Sequence, residues 1–306
     1  MQKITKEIPS NDGIHTLRAT VYLPENPKGI VQIVHGMAEH IGRYEHFMTY
    51  LAENGFIACG HDHLGHGKTA ENETELGFFA EKNGDRLVCE DTFSFGKAIR
   101  EEYPSFPLIL LGHSMGSFIA RQTVRFHPNA CDALIIMGTG GKNPLSVLGF
   151  ITASVICTLR GKKHISLLID RIAFASYNKK TGKKNSFAWL THDEKEIEKH
   201  DADPLCTFRF TVSAMRDLIR LQSHSNRKDW YRNLRKDLPV FIVSGAEDPV
   251  GNYGKGVEEV FSALLAQGMT NVTRKIYPDM RHEILNERSR KTVYQDILSF
   301  IFSQIS

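Results

Sequence analysis

The residues of this chain best suited to chemistry surround Ser114. Residues 107–111 are apolar and predict a buried strand, which runs into Gly-His-Ser-Met-Gly at 112–116, a Gly-x-Ser-x-Gly pattern. A helical pattern of apolar residues follows directly. A serine on a sharp strand-to-helix turn is held in a strained conformation that exposes its hydroxyl above a sheet. Ser114 is therefore predicted to be a nucleophile, and the alternative is a tight turn with an incidental serine.

A serine hydroxyl is a weak nucleophile at neutral pH and needs a positioned base. Among fourteen histidines the strongest candidate is His282, in a loop between the last predicted strand and the last predicted helix. Catalytic groups gather at the carboxyl ends of strands in such sheets. Glu247 and Asp248 follow the preceding strand, and Asp248 is favoured because Pro249 ends the turn and sets its direction. An exposed acidic turn is the alternative. The order serine, acid, histidine is that of the α/β-hydrolases.

Attack of a serine on an ester carbonyl creates an oxyanion, which backbone N–H groups stabilise. One donor is the N–H of Met115, next after the nucleophile. The second is predicted at Met37, just after the strand that ends in His35-Gly36, because glycine permits close backbone approach. The alternative for this segment is a simple strand-ending turn.

Residues 61–67 read His-Asp-His-Leu-Gly-His-Gly, and three histidines and an aspartate within six residues resemble a metal site. The segment follows a strand directly, and its glycines favour a tight polar loop. Structural support for the catalytic mouth is therefore the preferred interpretation. No metal and no organic cofactor is predicted.

The elements that must position these residues alternate along the chain. Alternation of strands and helices predicts an α/β fold, with a mostly parallel sheet flanked by helices on both faces. The predicted strands are residues 16–23, 29–35, 56–60, 107–112, 132–138, 238–244 and 272–277. The predicted helices lie within 44–54, 88–103, the segment after Ser114, 257–265 and 293–301.

This alternation stops for about 100 residues after the strand at 132–138. The chain is therefore divided into a hydrolase core (residues 1–138 and 238–306) and a helical cap, or lid, at residues 139–237. The cap holds 19 Lys/Arg and 10 Asp/Glu, so it is a basic block on an acidic body. The whole chain has a net charge of only +3, which gives no indication of a nucleic-acid partner.

Composition places the chain among ordinary globular proteins, with 41% hydrophobic and 24% charged residues. The five cysteines are odd in number and form no Cys-x-x-Cys, which predicts reduced thiols and a cytoplasmic location. No apolar signal region opens the sequence. The nearly uncharged stretch 143–159 is short and interrupted by polar residues, so it is not predicted to span a membrane.

An apolar stretch in the cap bears on the substrate. Three interpretations stay open: a surface that lies on lipid with its basic flank on anionic headgroups, an acyl-chain wall that faces Ser114, or the inside of a lid helix. An apolar lid surface is also a plausible dimer contact, so a monomer and a homodimer are both compatible with the sequence. Trp189 is predicted to pack within the cap. The apolar residues are Leu145, Val147, Leu148, Phe150, Ile151, Val155 and Ile156, flanked by Arg160, Lys162 and Lys163. The predicted substrate contacts are Gly36, His113, Leu148, Ile151 and Val250.

Four segments together resemble the monoacylglycerol lipase and lysophospholipase branch of the α/β-hydrolases. They are the segment from Val34 to Tyr44 (Val-His-Gly-Met-Ala-Glu-His-Ile-Gly-Arg-Tyr), residues 61–67, residues 112–116 and residues 281–287 (Arg-His-Glu-Ile-Leu-Asn-Glu). The resemblance implies a triad of Ser114, Asp248 and His282, oxyanion donors at Met37 and Met115, and a cap over the site. Met37 and Ala38 replace the smaller Ala-Gly pair usual in the mammalian lipases, which would narrow the pocket. Residues 76–85 look like those of bacterial relatives.

The function expected from these observations is that of a serine carboxylester hydrolase. Its substrate would be a lipid-like ester, a monoacylglycerol or a lysophospholipid, cleaved through an acyl-enzyme. One alternative is an esterase, thioesterase or amidase that uses the same triad on small non-lipid substrates. Another is a non-catalytic binding protein on a hydrolase fold. Haloalkane dehalogenation is disfavoured, since that chemistry on this fold uses an aspartate where this chain has Ser114.

Overall fold

A computed structural model describes residues 1–174, 176–183 and 185–305. Within these residues eight strands form one sheet, in the order β1-β2-β4-β3-β5-β6-β7-β8. The strands are β1 (Gln2–Pro9), β2 (Thr16–Leu23), β3 (Gly29–Val34), β4 (Phe56–His61), β5 (Leu108–His113), β6 (Ala133–Met137), β7 (Val240–Gly245) and β8 (Val272–Tyr277). The strands from β3 to β8 are parallel to one another, while β2 pairs antiparallel with both β1 and β4. The predicted α/β architecture is confirmed.

Ten α-helices are found in the described part of the chain. Five belong to the alternating pattern and five lie between β6 and β7. They are α1 (Glu45–Glu53), α2 (Gly84–Glu102), α3 (Met115–Phe126), α4 (Ser146–Arg160), α5 (Leu167–Phe174), α6 (Glu194–Ala202), α7 (Val212–Ser225), α8 (Lys228–Arg232), α9 (Lys255–Ala266) and α10 (Arg290–Ile305). No helix among the described residues is both long enough and apolar enough to cross a membrane.

The parallel strands are apolar along their whole length because helices cover both faces of the sheet. Every residue of β3, β4, β5, β6 and β7 is buried. One hydrophobic cluster joins one face of the sheet to α2, α3, α9 and the helices between β6 and β7. A second cluster joins the other face to α1 and α10. The sheet therefore forms a rigid layer on which strand-end loops are held in place.

The strand β1 is the one element of the sheet that the sequence analysis missed. It is an edge strand paired only with β2, and its side chains are exposed or half-buried. Its charged residues, Lys3, Lys6 and Glu7, suit an exposed edge but hide the alternation of Ile4 and Ile8. The other predicted strands differ from the observed ones by at most two residues at either end.

The segment between β6 and β7 leaves the sheet unbroken, because these two strands pair directly with each other. The five helices α4 to α8 fall within it. The segment is therefore an insertion at the carboxyl end of β6, as predicted. The exact division into a core and a cap at residues 139 and 237 stays a prediction.

Candidate active site

Ser114 lies at the turn between β5 and α3. Its backbone has φ 54° and ψ −121°, a conformation that residues other than glycine rarely adopt. Such strain is typical of the strand-to-helix turn that exposes a nucleophilic serine. The residue is half-buried. Since α3 begins at Met115, the positive end of the helix dipole lies close to the hydroxyl.

The glycines two residues either side of Ser114 are required by close backbone contacts. A Cβ atom at Gly116 would lie 2.0 Å from the carbonyl oxygen of Val34, and one at Gly112 would lie 2.3 Å from the carbonyl oxygen of Gly116. A side chain at either position would force α3 away from the ends of β3 and β5. The Gly-x-Ser-x-Gly pattern is thus a packing requirement of this turn.

His282 and Asp248 lie side by side at the ends of β8 and β7. Nδ1 of His282 is 2.9 Å from Oδ1 of Asp248, which also accepts the N–H of Val250 at 2.8 Å. The other oxygen, Oδ2, accepts the hydroxyl of Ser244 at 3.0 Å. Burial by itself would raise the pKa of Asp248, but the charge and hydrogen bonds of His282 and the other donors outweigh burial and hold the pKa below its usual value. Asp248 is therefore a carboxylate able to orient the ring and to stabilise an imidazolium.

The ring of His282 lies beside the ends of β5 and β6, next to the turn that holds Ser114. The Ser114 N–H donates to the carbonyl oxygen of Met137, the last residue of β6, at 3.0 Å. A Cβ atom at the next residue, Gly138, would lie 3.0 Å from Cε1 of His282. The ring of His113, directly before the serine, is 4.7 Å from the ring of His282. The structure therefore brings the serine, the histidine and the carboxylate to one edge of the sheet.

Glu247, the other acidic candidate, is directed away from this group. Its side chain is 44% exposed, and Oε2 lies 3.0 Å from Nε2 of His192 and 3.7 Å from Nε of Arg281. The geometry thus supports the choice of Asp248 as the partner of His282.

The loop after β3 lies against the serine. A Cβ atom at Gly36 would be 3.1 Å from Cβ of Ser114, so the backbone of the loop approaches Ser114 closely. Within the described residues the N–H of Met37 has no hydrogen-bond partner. Met115 is the first residue of α3, so its N–H has no partner one turn earlier in the helix. Both N–H groups are available for an oxyanion, and that role stays a prediction.

Hydrogen bonds from buried side chains fix the conformation of this loop. Glu39 Oε1 accepts the N–H of Gly36 at 2.5 Å, and Ala38, at φ 50°, donates its N–H to Nε2 of His66 at 3.3 Å. Asp62 accepts the N–H of Ile41 at 2.8 Å. These contacts agree with the interpretation of residues 61–67 as structural support for the catalytic mouth.

His113 is held by protein groups, and its contact with substrate stays a prediction. It is buried, its Nδ1 is 2.9 Å from the hydroxyl of Tyr44, and its Nε2 is 3.3 Å from the carbonyl oxygen of His282. Both ring nitrogens are thus occupied by protein groups. His113 supports the backbone of residues 278–289, the loop between β8 and α10 that carries His282 and is called the histidine loop below.

A buried ionic network, which the sequence analysis did not assign, joins the loop after β3 to the histidine loop. The guanidinium of Arg43 contacts both oxygens of Glu283, at 2.5 and 2.8 Å, and Oε2 of Glu39 at 3.2 Å. Burial would raise the pKa values of Glu39 and Glu283, but Arg43, together with His113 at Glu39, holds both below their usual values. The loop after β3 and the loop that carries His282 are thus held against each other by charge.

The remaining predicted substrate contacts lie in two places. Gly36 borders the serine, and Val250 is half-buried beside Asp248. Leu148 and Ile151 are on the surface of α4, at 63% and 53% exposure, rather than in a closed wall. Their contact with substrate stays a prediction. The interpretation of this stretch as the inside of a lid helix is wrong, because most of its apolar side chains face solvent.

Trp189, in the insertion, lies closer to the site than the sequence suggested. Its ring is 5.0 Å from that of His282 and 4.9 Å from that of Tyr177. The pattern of the sequence around Trp189 contains no signal for this contact, which spans distant segments of the chain.

One group of possible metal ligands is present among the described residues. His40, Asp203 and Cys206 place a ligand atom each within 4.8 Å of one another. Nε2 of His40 and Oδ2 of Asp203 are 2.9 Å apart, the distance of a hydrogen bond. The group is therefore satisfied as a contact between the loop after β3 and the insertion.

Comparison with known proteins decides the family. The sequence profile of Hydrolase_4, described as serine aminopeptidase S33, matches residues 25–289. The chain belongs to this family. The match begins just before β3, ends just before α10 and includes the whole insertion, so it covers Ser114, Asp248 and His282.

Individual relatives agree with this assignment. A monoacylglycerol lipase of Mycolicibacterium smegmatis is 25% identical over 93% of this chain and 92% of its own. The human monoglyceride lipase is 25% identical over 85% of this chain and 77% of its own. The crystal structure of a thermostable carboxyl esterase from Bacillus coagulans, in complex with glycerol, is 30% identical, covers both chains completely and has a TM-score of 0.94. The predicted resemblance to the monoacylglycerol lipase-like α/β-hydrolases is confirmed.

Proposed function

We propose that this family member is a serine carboxylester hydrolase that cleaves a monoacylglycerol or a lysophospholipid through an acyl-enzyme. The observation that supports this most strongly is the strained Ser114 at one sheet edge with the bonded pair of His282 and Asp248. The lipases and the carboxyl esterase to which the chain is similar support an ester as the scissile bond.

The reaction follows from the roles that these groups can take. His282 removes the proton of the Ser114 hydroxyl as its oxygen attacks the ester carbonyl, and the N–H groups of Met37 and Met115 stabilise the oxyanion. The imidazolium, stabilised by Asp248, gives its proton to the leaving alcohol as the C–O bond breaks. A water molecule, activated by the same histidine, then hydrolyses the acyl-enzyme. These steps require no metal or organic cofactor.

A panel of substrates tests the proposal. Monoacylglycerols of graded chain length, lysophosphatidylcholine, p-nitrophenyl esters and acyl-thioesters are compared by kcat/KM, with Ser114→Ala as the control. We expect turnover of monoacylglycerol or lysophospholipid at the highest kcat/KM. A higher kcat/KM for short p-nitrophenyl esters or thioesters would show that the enzyme acts on small non-lipid substrates instead. Absence of turnover and of labelling by a fluorophosphonate would favour a binding protein.

The exposed apolar residues of the cap support a peripheral contact with lipid. On α4, Val147, Leu148 and Leu159 are 70%, 63% and 75% exposed, and on α5, Leu168 and Ile172 are also exposed. The exposed side chains of Arg160 and Lys163 lie at the end of α4 or just after it. An apolar surface with a basic flank is typical of helices that lie in the interface of an anionic bilayer. Five free, buried cysteines suit the proposed cytoplasmic location.

We expect the double substitution Val147→Ser and Leu159→Ser to weaken binding to phosphatidylglycerol-containing vesicles by about tenfold, because it removes about 1–2 kcal/mol of apolar burial. Turnover of a soluble short-chain ester should stay within about twofold, since both side chains face solvent. Vesicle sedimentation measures the first effect. Unchanged vesicle binding, with a change from dimer to monomer by light scattering, would assign the surface to a homodimer instead.

A further inference from the structure

A short segment of the insertion, residues 188–192, lies along the loop that carries the catalytic histidine. The N–H of Glu283 donates to the carbonyl oxygen of Leu190 at 2.7 Å. The hydroxyl of Thr191 donates to the carbonyl oxygen of Asn286 at 3.1 Å. The N–H of His282 lies 3.5 Å from the carbonyl oxygen of Trp189. The backbone on both sides of the proposed base is thus in contact with the insertion.

Two buried charged side chains reinforce this contact. Arg281 is 4% exposed, and its Nη1 donates to the carbonyl oxygens of Ala188, at 2.6 Å, and Thr191, at 3.2 Å. Glu287 is 2% exposed and accepts the N–H of Arg281, from the histidine loop, at 2.8 Å. It also accepts the N–H of His192, from the insertion, at 3.0 and 3.1 Å. Each side chain therefore bonds to the backbone of the insertion from the side of the histidine loop.

Burial of charged groups is costly unless hydrogen bonds compensate it. Glu287 makes its bonds to backbone N–H groups of both segments, so it is satisfied only when the two segments are together. The same holds for Arg281, whose bonds to the carbonyl oxygens require the insertion to be docked. Separation of the segments would break these bonds and expose both charged side chains to water.

We propose that Arg281 and Glu287 are positioning residues, which make the docked segment 188–192 part of the support of His282. The proposal rests on the triad given under the proposed function. Docking also places the ring of Trp189 5.0 Å from the imidazole, where its π face attracts the imidazolium that forms during acylation. The insertion is therefore more than a cover, because one of its segments holds the proposed base in register with Ser114.

The test compares Arg281→Met with Arg220→Met. Arg220 also joins the insertion to the body, with Nη1 3.6 Å from Oδ1 of Asp85, but it contacts α2 and not the histidine loop. We expect kcat for a p-nitrophenyl ester to fall about 10²-fold in Arg281→Met with KM within about threefold, since misplacement of a catalytic group by about 1 Å has this cost. Arg220→Met should keep kcat within about threefold. Equal kcat in the two variants, with wild-type melting temperatures, would overturn the proposal.

Two further variants keep the test decisive if Arg281→Met does not fold. Arg281→Lys retains the charge but not the planar fork of donors, and it should restore part of kcat. Glu287→Gln replaces one acceptor oxygen by an N–H group that cannot accept, and it should lower kcat without a matching rise in KM. Wild-type kcat in both would contradict the proposal.

A spectroscopic measurement separates this proposal from the proposed function. The chain has two tryptophans, so Trp230→Phe leaves Trp189 as the sole indole reporter. In that background His282→Ala should change the emission of Trp189, and the change should shrink by more than half when Arg281→Met is also present. If wild-type protein shows no turnover but the emission result holds, positioning stands and the esterase function fails. If turnover is found but Arg281→Met leaves the emission change intact, positioning fails.

Discussion

Replacement of Ser114 by alanine is expected to lower kcat for ester hydrolysis by about 10⁶-fold and to abolish labelling by a fluorophosphonate. The magnitude is that found when the nucleophile of a serine hydrolase is removed, because the covalent route is lost and only binding and oxyanion stabilisation remain. Burst-phase kinetics with a p-nitrophenyl ester measure both the acyl-enzyme and the turnover. Alanine at φ 54° carries the same backbone strain as serine, so the fold should be retained.

The matched control is Ser262→Ala, on α9. Its hydroxyl is exposed and 3.4 Å from Glu258, and it makes no other hydrogen bond with a described residue. This variant should keep wild-type kcat and full labelling. Labelling that persists in Ser114→Ala would place the nucleophile elsewhere and end the case for this site.

The second large effect is expected for Asp248→Asn, which should lower kcat by about 10⁴-fold. An amide at this position can donate to Nδ1 of His282, and it then stabilises the tautomer whose Nε2 carries the proton. That ring cannot remove the proton of Ser114, although the geometry of the site is retained. The pH profile of kcat/KM measures the loss. Hydroxide can remove the proton of Ser114 in place of His282, so the deficit of the variant should shrink as pH rises.

Glu247→Gln is the control for this substitution, because it changes the neighbouring carboxylate in the same way. Glu247 is 44% exposed, and its contacts with His192 and Arg281 are not among the bonds that dock residues 188–192, so we expect kcat within about fivefold of the wild type. A larger loss in Glu247→Gln than in Asp248→Asn would reverse the assignment of the acid.

The candidate site was predictable from the sequence because the topology of a parallel sheet constrains it. Consecutive strands alternate with helices, so residues that follow β5, β7 and β8 must meet at one edge, and Ser114, Asp248 and His282 each follow one of these strands. The turn around the serine is also indicated locally by its glycines, and the buried strands by their apolar runs. The edge strand β1 has a weak local signal, and it was missed.

Side-chain direction and long-range contact were decided only by the tertiary structure. Arg43 contacts Glu283 across 240 positions of sequence, and His113 bonds to the backbone of a residue 169 positions away. Whether α4 turns its apolar face inward or to solvent depends on what packs against it, and this α4 leaves that face exposed.

Residue patterns in this chain therefore determined its strands, its helices and the strand ends where chemistry can occur, because periodicity and turn residues act over a few positions. The docking of residues 188–192 on the histidine loop depends on hydrogen bonds between segments about 90 residues apart. The acceptors of these bonds are backbone groups that every residue has, so no residue pattern predicts them. Only the folded chain shows that residues 188–192 are bonded to the loop that carries His282.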